Sequence, residues 1–264
     1  MNKKKIAIFT TIIYVIVLGS GLYLYSWFVG NKVNEVEKLL VSLISQIIAV
    51  ACVVYIINKY YGWKNIGFRK IKLKSIIWFF PYIVIIVPMI YEFIIHICKN
   101  ITSFSVSTWA VLFITFIGAS SVGFSEEAIF RGIYLESFKS EKTVIRPMII
   151  SYLGFSIFHI VNLFVGNSFA QVFITIIVSS LLGFSFIALA IKLESIWLNI
   201  IFHTTWNFIL ISSQTLNFSV SKTSGFISEV NILVGSILWL MIIKKDKIER
   251  KKSFITNENK KTTV

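Results

Sequence analysis

The apolar positions of this chain come in long unbroken runs rather than in alternating faces. Eight segments, roughly 6–29, 39–58, 76–98, 107–128, 147–165, 169–191, 196–213 and 225–243, are predominantly apolar. Each is close to the ~20 residues that an α-helix needs to cross about 30 Å of bilayer hydrocarbon. The pattern predicts an all-α, polytopic membrane bundle of about eight transmembrane helices. Nothing stops the fourth run before about Phe138, and Pro147 suits the first turn of the fifth helix, where its missing N–H costs little. From Lys244 onward the sequence reads as a solvated basic tail.

Composition supports that class. Hydrophobic residues make up 56% of the chain and charged residues only 14%, with a mean hydropathy of +0.80. A soluble domain needs more charged surface. The net charge of +14 would suit nucleic acid if it formed a patch, but the Lys and Arg residues lie between apolar runs and cluster on alternate loops. That is how membrane topology is written, and no nucleic acid partner is expected.

With the N-terminus in the cytoplasm, 21 of the 26 Lys and Arg residues fall in cytoplasmic segments and 4 in outer loops. Both termini are therefore expected inside. The loop 59–75, rich in basic and aromatic residues, is expected to anchor on the anionic inner leaflet. Cys52 and Cys98 imply no disulfide framework. The first apolar run is longer than the ~7–15 residues of a signal-peptide core, so it reads as a retained helix. Gly19-Ser20-Gly21 weakly imitates a cleavage site and keeps a cleaved signal as the alternative.

Ionisable groups inside a bilayer are costly and mark function by default. The fourth segment carries Ser125-Glu126-Glu127-Ala128-Ile129-Phe130-Arg131-Gly132, the fifth Phe155-Ser156-Ile157-Phe158-His159, and the seventh His203-Thr204-Thr205-Trp206-Asn207. At about 1.5 Å of rise per residue, Glu126 and His159 both lie roughly 18 Å from their cytoplasmic helix ends, with His203 and Asn207 at about 10–16 Å. Residues four apart share a helix face, so Glu127 can meet Arg131, and His203 can stand beside Asn207. Glu126, turned ~100° from Glu127, is then free to face a cavity as a general base.

Glu-Glu-x-x-x-Arg, Phe-x-x-x-His and His-x-x-x-Asn on successive membrane helices resemble the CAAX protease and bacteriocin-processing (CPBP, or Abi) family of intramembrane proteases. The resemblance covers about residues 110–215. It implies a protease core over 106–215, preceded by about three membrane helices (1–105) and followed by a last membrane helix (216–243) and the basic tail (244–264). It further implies that Glu126 and His159 activate water, that His203 and Asn207 serve the oxyanion or a metal, and that Glu127 and Arg131 support them. If zinc is used, the resemblance implies Glu126, His159 and His203 as ligands. The metal-free version is favoured, because Asn207 stands on the His203 face and a carboxamide is an uncommon zinc ligand.

The expected partners are a peptide or protein substrate in or at the membrane, and the lipid bilayer itself. Lys-, Ile-, Asn- and Phe-rich composition suggests a bacterial plasma membrane protein, for which bacteriocin or peptide-pheromone processing and self-immunity are the family-level roles. A non-catalytic immunity or regulatory protein of the same fold, and a small-solute transporter, remain alternatives. Glu92 and His96, four apart in the third segment, form a second polar pair read as structural. Glu127–Arg131 reads as a structural ion pair in either case. For topology, cysteines placed at Lys70 and Ser253 should label only after the membrane is permeabilised. Labelling of either in intact cells would overturn the charge-bias argument.

Overall fold

The computed structural model describes residues 2–29, 35–140, 143–165, 167–220 and 222–261. Among the described residues, eight α-helices longer than one turn make up the bundle: α1 (Lys3–Val29), α2 (Glu35–Ile56), α3 (Phe80–Asn100), α4 (Val106–Glu126), α5 (Ile145–Phe158), α6 (Phe169–Leu193), α7 (Trp197–Thr215) and α8 (Ile227–Lys261). No strand occurs among the described residues. Helix starts follow local sequence. Ser105 caps α4 by accepting from the Thr108 amide at 3.1 Å, and Ser168 with Gln171 forms a reciprocal capping box on α6.

Seven stretches are long and apolar enough to cross a membrane, namely Lys3–Leu24, Leu39–Tyr61, Leu73–Asn100, Val106–Ser137, Ile145–Phe164, Phe169–Leu193 and Lys222–Lys251. The chain is a multi-pass membrane protein. The expected seventh span is present as α7, with 19 residues, but it does not reach that apolarity. Asn199, His203 and Asn207 lower it, so the helix that deviates is the one that carries polar chemistry. Another difference lies at the C-terminus. The chain does not leave the bundle at Lys244, because α8 continues to Lys261. No Gly or Pro stops it, and Lys245–Glu249 and Asp246–Arg250 pair across one turn. Asp246, 6% exposed, accepts from the Val144 amide and the Thr143 hydroxyl, both at 2.9 Å, and so fixes the residues just before α5, where Thr143 Oγ1 in turn accepts from the Ile145 amide at 3.1 Å.

Apolar packing is divided into two main clusters. One joins α1 and α2 to Ala128, Ile129, Phe130, Ile133 and Phe155, while the other joins α3, α6, α7 and α8 around Tyr82, Phe186, Phe202 and Leu238. The loop expected as an interfacial anchor is also a structural plug. Ile66 is 1% exposed and packs on Gly132, where an added Cβ would come within 2.8 Å of the Ile66 carbonyl oxygen. The loop is tied to the α6–α7 connection by Ile196 N–H to Gly67 O (3.1 Å), Ser195 Oγ to Arg69 O (2.9 Å) and Lys72 N–H to Leu193 O (3.3 Å). Lys72 also pairs with Glu194 at 2.8 Å and, by that hydrogen bond, holds its carboxyl below the usual range. That pair is exposed and worth little; the buried backbone bonds and Ile66 do the holding.

Helices α4 and α7 pack tightly at Gly123, where an added Cβ would lie 2.6 Å from Thr204 Oγ1 and 3.0 Å from its backbone nitrogen. Small residues allow such contact between membrane helices. Gly123→Leu should push the two helices apart and cost about 1–3 kcal/mol, as overpacking usually does. Thermal melting in detergent measures it, and an unchanged midpoint would show that the interface yields freely.

Candidate active site

The polar residues expected to meet do converge, on one cavity of about 510 Å³. Glu126, His159, His203 and Asn207 all line it. Glu126 is the last residue of α4 proper, and Glu127–Tyr134 then continues the helix in wider π turns. Such turns occur mostly at functional sites. His159 stands where α5 tightens into a 3-10 helix, His159–Val165. Both breaks in helical geometry coincide with a site residue.

Glu127 is fully buried and is the hub. Its Oε1 lies 3.1 Å from Arg131 Nη1 and 3.1 Å from His203 Nδ1, and its Oε2 accepts from Asn199 Nδ2 at 3.5 Å. The Arg131 guanidinium, 2% exposed, sits 3.9 Å from the Phe155 ring centre and 5.7 Å from that of Phe186. Those two rings belong to the two separate apolar clusters. The ion pair therefore joins both halves of the bundle while fixing one histidine.

That fixation assigns one ring proton. A carboxylate only accepts, so His203 Nδ1 carries a proton and donates to Glu127. Its Nε2 then points toward Glu126, 3.9 Å from Oε2. Glu126 is 5% exposed, and its Oε2 has no hydrogen-bond partner within the protein. His159 is held differently. Its Nδ1 donates to the Phe155 carbonyl at 2.9 Å, and its ring packs edge-on against Phe155 and Phe158. In the neutral ring, Nε2 keeps its lone pair.

The geometry differs from expectation in two ways. Glu126 approaches His203 rather than His159, because Glu127 turns the His203 ring toward it. Glu92 and His96 do not pair: His96 instead stacks on Phe218 with ring centres 4.3 Å apart. The cavity is lined by α1, α2 and α8 as well as by α4 to α7. From Glu126 it extends past Val122, Gly118 and Ile114 on α4 and to Gln46 and Ser42 on α2, away from the basic loops.

Residues 106–209 match the family described as Type II CAAX prenyl endopeptidase Rce1-like. Over that stretch, less than half of its length, the chain is similar to CAAX-type intramembrane proteases. The matched stretch holds the α4, α5 and α7 residues described above, whereas α1, α2 and α8 lie outside it. No curated protein matches the chain.

Two further features belong to the matched core. Asn199 escaped the sequence reading, although it stands four residues before His203 on the same helix face. It is completely buried and donates to both Phe186 O (2.9 Å) and Glu127 Oε2. The proposed zinc set does not assemble: among the described residues, no three His, Cys, Asp or Glu side chains stand close enough to share a metal ion. Glu127 and Phe155 hold the two histidines on separate anchors.

Breaking the buried ion pair from one side leaves an uncompensated charge. Glu127→Gln and Arg131→Met should each cost about 3–5 kcal/mol of stability. The double variant should recover much of that loss. A thermal-melt double-mutant cycle reads the coupling; additive losses would mean the two side chains do not act as a pair.

Proposed function

We propose that this chain hydrolyses a peptide bond of a membrane-associated peptide or protein terminus, with Glu126 as general base. The observation that carries the reading is the buried Glu126 carboxylate, which lines the cavity together with the two oriented histidines, His159 and His203. The family supplies the reaction class, a CAAX-type endopeptidase. The chemistry then follows from the side chains. Glu126 takes a proton from water as its oxygen bonds to the scissile carbonyl carbon. His159 Nε2 accepts the second hydrogen of that water and aims it.

With both ring nitrogens protonated, His203 donates Nδ1–H to Glu127 and keeps Nε2–H for the developing oxyanion. The Asn207 amide is the second donor. When the carbon–nitrogen bond breaks, Glu126 returns its proton to the leaving amine. Glu127, Arg131 and Asn199 do not touch the substrate in this scheme; they hold the His203 ring.

The charge bias supports an orientation with both termini and the basic loops inside, in a bacterial plasma membrane. In that orientation the cavity lies toward the outer half of the bilayer, so the peptide reaches Glu126 from the membrane or from beyond it. A peptide made to be exported, such as a bacteriocin or pheromone precursor, suits that route.

Glu126→Gln keeps the shape of the side chain and removes the base. Turnover should fall by about 10²–10⁴-fold, the usual contribution of a general base, while expression and melting temperature hold. Comparative peptidomics of membranes carrying wild-type or Glu126→Gln protein gives the readout. Identical peptide profiles, with the biological phenotype intact, would favour a non-catalytic binding role.

A further inference from the structure

We infer that Asn231 on α8, outside the matched segment, is a substrate-positioning residue whose side-chain amide donates to a carbonyl of the peptide lying in the cavity. This rests on the peptidase reading above and assigns a contact to a helix that no motif covers.

The carboxamide is held in one orientation by two hydroxyls. Asn231 Oδ1 accepts from Tyr82 Oη at 2.9 Å and from Ser185 Oγ at 2.7 Å, bringing together α3, α6 and α8. Oxygen and nitrogen of an amide are told apart by such partners. Tyr82 is completely buried, and Ser185 Oγ also approaches the Leu182 carbonyl at 3.1 Å. With the oxygen facing Tyr82 and Ser185 as the structure places it, Nδ2 is left over.

Asn231 is 2% exposed overall, yet it lines the cavity together with Glu126, His203 and Asn207. Its Nδ2 makes no hydrogen bond to the protein, and it is not among the sealed polar atoms that lack a partner. Its remaining access is to the cavity. An asparagine needed only to satisfy Tyr82 and Ser185 is a costly choice inside a bundle, since it adds a second polar end that must also find a partner. A peptide backbone carbonyl is the acceptor that a peptidase cavity always receives, whatever the side chains of its substrate.

The difficulty in testing this is that Asn231→Leu alone strands two buried hydroxyls and destabilises the bundle for structural reasons. The comparison is therefore made in a Tyr82→Phe/Ser185→Ala background, where Asn231→Leu removes no hydrogen bond within the protein. A purely structural Asn231 predicts unchanged or higher melting temperature and unchanged kinetics in that background. A positioning Asn231 predicts unchanged or higher melting temperature with KM raised about five- to tenfold at similar kcat. That is the size of one hydrogen bond made equally in ground and transition states.

Binding supplies an activity-independent readout. A fluorescein-labelled apolar octapeptide is titrated onto Glu126→Gln protein in nanodiscs, with and without Asn231→Leu in the same Tyr82→Phe/Ser185→Ala background. A five- to tenfold weaker Kd on adding Asn231→Leu supports the assignment. Equal affinities overturn it and leave the peptidase reading standing. Loss of peptide binding in every form, with no turnover by the wild type, would instead sink the peptidase reading and this contact with it.

Discussion

The site depends on one buried ion pair. Glu127 and Arg131 are both out of water, where either charge is costly without the other. Here the guanidinium of Arg131 packs against Phe155 and Phe186, one from each apolar cluster, and the carboxylate also meets His203 and Asn199. Remove the pair, and α5 loses a cationic partner, α7 loses the anchor of its histidine, and the two clusters lose their shared centre. The orientation of His203 toward Glu126 is a downstream effect of a contact that itself does no chemistry.

Much of this was legible in the sequence because membrane embedding narrows the possibilities. Long apolar runs announced helices, and ionisable residues within them had to be paired or functional. Glu127 with Arg131 followed from a spacing of four. The convergence of Glu126, His159, His203 and Asn207 followed from comparing depths along helices of known rise. What spacing could not give was orientation between helices. Whether Glu126 meets His159 or His203 depends on the rotation of α7 about its axis, and that is set by Gly123 against Thr204 and by Glu127 on His203.

Other features were hidden for a different reason. Asn199 sits in a helix already marked by His203 and Asn207, and its role needs a partner thirteen residues away on another helix. The plug formed by Ile66 looked like an ordinary interfacial loop, since a single apolar residue among Lys, Arg and aromatics carries no period. The direction of the cavity, likewise, is a property of where the loops close the bundle, and loops were the least informative part of the pattern.

The hold that Asp246 has on the residues leading into α5 has a consequence for biogenesis. Helix α5 holds His159 and Phe155, yet the carboxylate that fixes Thr143 and Val144 just ahead of it comes from a helix made about a hundred residues later. The chain can insert its spans in order as they emerge, but α5 is not finished at its leading end until α8 has been synthesised and has docked. Insertion and completion of the site are thus separate events, and a nascent chain that carries every polar residue of the cavity is still an unclosed one.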